Sequence, residues 1–170
     1  MKSQIMAGKR GLIMGLANNK SIAWGIAKAC AEAGAELAFS YQGEQLKKRV
    51  DPLASELGSD LVLECDVSDE ASMDALFATL KEQWGSLDFV VHAIGFSDKN
   101  ELRGRYIAAT RAPFHMSMDF SVCSFPAVWS RFARLPAPPV MNRFPLELCS
   151  CGAVPPCPAS SGCSQAGDGL

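Results

Sequence analysis

The chain has 170 residues, enough for one domain with a sizeable core and too few for two ordinary ones. Its 48% hydrophobic and 20% charged content is that of a globular protein, and a formal net charge of −2 gives no basic footprint for nucleic acid. No apolar run approaches the ~20 residues that cross a bilayer, and Lys2, Lys9 and Arg10 precede only a very short apolar stretch with no signal-peptide pattern, so the expectation is a cytoplasmic protein with neither membrane nor nucleic-acid partners.

Strand-like and helix-like segments alternate up to about Met118. Arg10 to Met14 is the first predicted strand and ends at Gly15. A helix follows from about Ser21, with Ile22, Ile26 and Ala29 expected on its buried face and Gly34 as its stop. Glu36 to Ser40 is the second strand. Leu46, Val50, Leu53 and Leu57 then recur at helical spacing up to Gly58, although Pro52 interrupts the pattern. Asp60 to Cys65 is the third strand. In the next helix Ser68 is the expected N-cap, and Met73, Leu76, Phe77, Leu80 and Trp84 form the buried stripe, ended by Gly85. Leu87 to Ile94 is a nearly all-apolar fourth strand, as a parallel sheet covered on both faces requires. This alternation predicts an α/β fold: a Rossmann-type doubly wound parallel sheet, its N-terminal half only.

After about Ser121 the character changes. Eight of the ten prolines and five of the seven cysteines fall there, with no lysine. Runs such as Leu135 to Pro139 and Val154 to Pro158 suit neither helix nor central strand. The expected division is therefore a partial domain over 1–128 and an irregular or disordered Pro/Cys-rich tail over 129–170. A metal site on Cys149, Cys151, Cys157 and Cys163 is the competing reading of that tail, but their spacing matches no standard zinc pattern and no histidine lies nearby.

The turn after the first strand, Gly15 to Gly25, has the parts a diphosphate needs. Gly15 permits close backbone approach, Ser21 offers a hydroxyl and a cap, Ile22 opens the helix, and Gly25 is expected where helix meets sheet. It is not the usual G-x-G-x-x-G, because the loop is longer and has Ser21 in place of a glycine. Three strand ends add further candidates. Gln42 lies in reach of the adenosine side and settles neither NAD nor NADP. Asp66, beside Val67, either hydrogen-bonds the adenine amino group or is an exposed loop acid. Gly95, after Ile94, lets the chain pass close to ribose and nicotinamide. His92 is read as a core or rim histidine rather than a base.

Gly15-x5-Ser21-Ile22-Ala23-x-Gly25, Ser40-Tyr41-Gln42, Cys65-Asp66-Val67 and His92-Ala93-Ile94-Gly95-Phe96, in that order, resemble the NADH-dependent enoyl-[acyl-carrier-protein] reductases of bacterial fatty-acid synthesis, divergent members of the short-chain dehydrogenase/reductase family. The resemblance runs from about Lys9 to Val128 and takes in Gly104-Arg-Tyr106 and Met118 to Val122. It implies NAD (NADH) contacts at Gly15, Ser21, Ile22, Gln42, Asp66, Val67 and Ile94. It also implies acyl-substrate contacts at Phe96 and Ser97, reduction of a trans-2-enoyl thioester carried by acyl carrier protein, and homo-oligomers for intact members. Members use a tyrosine followed seven positions on by a lysine. Here the last tyrosine is Tyr106 and the last lysine Lys99, so no Tyr-x6-Lys pair can exist downstream of the fourth strand and no catalytic residue is assigned. The expectation is thus a truncated, inactive family member that does not assemble as intact members do. The alternatives are a non-catalytic NAD-binding module or another short-chain reductase. Order and family pattern are expected to end together, which points to a reading-frame change between about Arg111 and Arg134, with a natural divergent C-terminus as the competing idea.

Overall fold

The computed structural model describes residues 4–99 and 110–136. Gly104 to Tyr106, the four tail cysteines and the expected tail from residue 137 onward lie outside the described residues.

In chain order the elements are β1 (Arg10–Met14), α1 (Ile22–Glu32), β2 (Glu36–Tyr41), α2 (Gly43–Glu56), β3 (Val62–Glu64), α3 (Glu70–Trp84), β4 (Phe89–His92), α4 (Arg111–Met118), a π-helical turn (Asp119–Cys123) and α5 (Ser124–Phe132). The strands form a four-stranded parallel sheet in the order β3-β2-β1-β4, with Leu12 opposite both Ala38 and Val90. Alternation along the strands sends Leu12 and Met14 to one face, where α3 packs through Met73, Leu76, Phe77 and Leu80 and α5 through Val128. Ile13, Leu37, Phe39 and Tyr41 face the other side, against Ala23 and Ala27 of α1 and Val50 and Ala54 of α2. The doubly wound parallel sheet is therefore present, with its core in two layers. The central strands β1 and β2 are buried at nearly every position, whereas β4, at the edge, is half-buried throughout. The edge strands β3 and β4 are also shorter than the apolar runs suggested, because each has a ladder partner on one side only among the described residues.

Several local expectations are corrected. Ile22 is 79% exposed and Ala29 is exposed, while Ala23 and Ala27 face the sheet. Alanine lets the helix axis come close, where a longer side chain would hold it off. Gly25 lies on the outer face with open space at its Cβ position, so it is not needed for helix–sheet contact. Pro52 does not break α2, because it sits on the exposed side while Val50 and Ala54 carry the buried face. Asp69, not Ser68, caps α3, its carboxylate accepting from the Ala71 amide at 3.0 Å. Ser68 is instead bonded two residues back, its amide (2.9 Å) and hydroxyl (2.6 Å) both donating to Asp66.

The expected boundary at residue 128 falls inside α5. Beyond it, Arg131 donates to Asp74 on α3 at 2.6 Å and to the Ala127 carbonyl at 3.1 Å, with only a tenth of its side chain exposed. Residues up to Phe132 are thus packed helix, not irregular tail. Despite Pro126, the helix persists because its apolar face, led by Val128, has α3 to pack against.

Candidate functional site

The carboxyl ends of β1, β2, β3 and β4 open on one cleft of about 180 Å³. Such a position is where open α/β sheets hold their ligands, because the loops diverge there on either side of β1. Its lining brings together Gly15, Gln42, Val67, Ile94 and Phe96 of the candidates, along with Leu16, Tyr41, Leu46, Cys65 and Ala93. Ser21, Ile22, Asp66 and Ser97 are not part of the lining.

Each side chain is placed by an identifiable local cause. Gly15 has φ +92°, and a Cβ there would overlap the Ala93 carbonyl and sit 3.0 Å from the Ile94 amide nitrogen. The close approach it permits is therefore that of the β1 turn to the segment after β4, which holds two walls of the cleft together. The Ala93 amide donates to the Met14 carbonyl at 3.1 Å across the same junction. Ser21 is the N-cap of α1 and accepts from the Trp24 amide at 3.3 Å, while its hydroxyl donates to the Asn18 carbonyl at 2.7 Å. Its single proton thus closes the loop on itself. Exposed Ile22 stands in the first turn of α1.

Gln42 is the N-cap of α2 without a side-chain capping bond, and its side chain reaches Asp66 instead. Burial pushes the Asp66 carboxyl up, but hydrogen bonds from the Ser68 hydroxyl and amide and from Gln42 outweigh it and hold Asp66 below its ordinary value. Asp66 is thus a held anion beside the cleft, rather than a free loop acid. Burial and the Asp66 charge push the Cys65 thiol up to about 11, leaving it a neutral part of the wall.

His92 closes β4 and points toward α5, where its Nε2 lies 2.8 Å from the Ser124 Oγ. Burial lowers its pKa. It serves as a rim histidine, in keeping with the sequence reading, and no carboxylate is bonded to it among the described residues. Phe96 is 53% exposed at the cleft mouth, its ring 5.5 Å from that of Phe120. Sequence reasoning missed the apolar wall of Leu16, Tyr41, Leu46 and Ala93. Their one legible signal is adjacency to the strand ends. No group of three or more possible metal ligands occurs among the described residues, and none of the described helices is long and apolar enough to cross a membrane.

Comparison with known proteins agrees with this geometry. The profile of the family described as enoyl-(acyl carrier protein) reductase matches residues 15–142. Enoyl-[acyl-carrier-protein] reductase [NADH] 1 of Rhizobium meliloti is 61% identical over 133 residues, covering 78% of this chain and 49% of that protein. FabI from Candidatus Liberibacter asiaticus superposes with a TM-score of 0.76 at 56% identity, over 79% of this chain and 52% of that one. The enoyl-(acyl-carrier-protein) reductase of Anaplasma phagocytophilum, solved in complex with NAD, gives a TM-score of 0.75 at 54% identity, over 78% of this chain and 51% of that one. The chain therefore spans about half the length of the relatives it matches. The match continues past Arg134, beyond the window in which the sequence pattern was expected to end. By this match and by its sheet, turn and cleft, the chain belongs to the enoyl-(acyl carrier protein) reductase family.

Proposed function

We propose that the cleft binds NADH and that this chain is the cofactor-binding half of a reductase acting on trans-2-enoyl thioesters of acyl carrier protein in fatty-acid synthesis. The observation that carries the reading is the convergence of four strand ends on one cleft lined by Gly15, Gln42, Val67 and Ile94. The donor set fits the cofactor part by part. Ser21 and Ile22 head α1, whose first-turn amides and dipole favour the diphosphate. Gln42 offers amide groups to the adenosine ribose. Asp66, ionised and already oriented, accepts from the adenine amino group, and Val67 provides an apolar surface beside it. Ile94 lies on the nicotinamide side, and Phe96 and Ser97 border the place of the acyl chain.

When bound, NADH supplies the hydride that reduces the enoyl β-carbon. The residues of this chain hold that cofactor in register and exclude water along the apolar wall. Stabilising the enolate oxygen needs a hydrogen-bond donor, and no Tyr-x6-Lys pair follows the fourth strand in these 170 residues to be assigned that role. We propose accordingly that the described residues up to Phe132 form part of a dinucleotide-binding domain that binds without turnover. We place it in the cytoplasm, without the closed homo-oligomer of intact members. Exposed Phe114, Met118, Val122, Phe125 and Trp129 favour open-ended association instead.

The test is a titration of the purified chain with NADH, followed by nucleotide fluorescence, then addition of a short enoyl thioester. Saturable enhancement with no thioester-dependent oxidation is expected. An unchanged signal overturns the binding reading, and oxidation overturns the assignment of no catalytic residue. A sharp tetramer by light scattering overturns the assembly reading.

A further inference from the structure

The segment from Phe120 to Phe125 meets the end of β4 and the cleft mouth at three points. The Phe120 ring lies 5.5 Å from that of Phe96, the Ser124 Oγ lies 2.8 Å from the His92 Nε2, and the Phe125 ring stands edge-on to the His92 imidazole at 5.6 Å. A π-helical turn over Asp119–Cys123 adds one residue per turn relative to an α-helix, and such turns are found mostly at functional positions.

Proton counting fixes the direction of the central bond. The Ser124 hydroxyl has one proton and donates it to the Phe120 carbonyl at 2.6 Å. Toward His92 it can then only accept, so the His92 Nε2 carries the hydrogen. Ser124 is 4% exposed, so neither of its partners is readily replaced by solvent. The result is a continuous line: His92 ring, Ser124 hydroxyl, Phe120 carbonyl, Phe120 ring, Phe96 ring. It starts at the last residue of β4 and returns four residues later, on the wall of the cleft.

We infer that the His92–Ser124 hydrogen bond is a brace that fixes the π-helical turn and, through Phe120, sets where Phe96 stands at the cleft mouth. His92 and Ser124 are thereby positioning residues for the acyl side of the site, acting through Phe96 without touching substrate. That last step rests on the proposed function; the brace itself does not.

The experiment is aromatic NMR on the full chain labelled at phenylalanine, in its native form and as Ser124→Ala, His92→Phe and His92→Gln. The native chain is expected to show cross-peaks between the Phe96 and Phe120 rings. Ser124→Ala and His92→Phe are expected to lose them while the buried Phe39 and Phe77 signals stay in place. His92→Gln, which keeps an amide donor near the Nε2 position, is expected to restore them. Persistence of the cross-peaks in both disrupting variants, with the core signals intact, overturns the brace. Should those variants unfold, long-range proton–nitrogen correlations of the native His92 ring still decide: a hydrogen on Nδ1 and none on Nε2 overturns it. A native chain that behaves as expected here yet ignores NADH overturns the proposed function alone.

Discussion

Gly15 and Gly25 are expected to respond to alanine with opposite signs. Gly15 has φ +92°, a conformation that costs an L-residue about 1–2 kcal/mol. Its added Cβ would also stand 2.5 Å from the Ala93 carbonyl carbon, against ordinary contact near ~3.5 Å. Relief requires β1 and the segment after β4 to part by roughly 1 Å, a gap that itself forfeits dispersion contacts. That movement strains the Ala93 to Met14 hydrogen bond of 3.1 Å, worth ~0.5–1.5 kcal/mol. Together the terms give a loss of about 2–4 kcal/mol, large against the 5–15 kcal/mol of a whole domain. Gly25, by contrast, lies inside α1 with open space at its Cβ position. Gly25→Ala is expected to gain ~0.5–1 kcal/mol from helix propensity and unfolded-state entropy. Urea unfolding followed by far-ultraviolet circular dichroism measures both. With a slope of ~1–3 kcal/mol per molar, Gly15→Ala should lower the midpoint by about 1 M or more. A Gly15→Ala midpoint indistinguishable from the native chain, or a shift of the same sign in both variants, would refute the steric argument.

Other perturbations test other links. Asp88→Ala leaves the Lys9 ammonium and the Arg10 amide without the carboxylate each meets at 2.9 Å, and a loss of ~1–3 kcal/mol is expected in urea midpoints. Arg131→Met keeps the apolar stem but removes the bond to exposed Asp74; the solvated partner limits the cost to about 1 kcal/mol, with faster amide exchange in α5 than in α3. Burial holds His92 below its ordinary 6.5, so the folded state favours the neutral ring. Its contribution is fully present above 6.5 and is lost as pH falls through the lower folded-state value. Urea midpoints should therefore decline on acidification below 6.5 in the native chain and less so in His92→Gln; equal slopes in the two would refute this assignment.

Much of the fold was legible in the sequence, because the signals are short-range. The apolar run from Arg10 to Met14 between charged and glycine positions defined β1 to the residue, and the stripe from Met73 to Leu80 defined the buried face of α3. The positions of Gly15, Gln42, Val67, Ile94 and Phe96 were legible as a pattern of strand ends, since alternation of strand and helix places every carboxyl end at one edge of a parallel sheet.

What only the tertiary structure decided depends on which surfaces meet. In α1 the 3.6-residue period permits a face through Ile22 and Ile26 or one through Ala23 and Ala27. The sheet selects the alanines because they allow closer approach. Gly15 was recognisable as a turn glycine, but its actual neighbour is a backbone segment nearly eighty positions away in the chain. The composition of residues 129–132 suggested a tail, yet Arg131 and Val128 find α3 and stay helical. The His92–Ser124 bond likewise joins residues thirty-two positions apart. Periodicity and capping act within a few residues and are written locally, whereas close approach, helix facing and long-range hydrogen bonds exist only once the layers have packed.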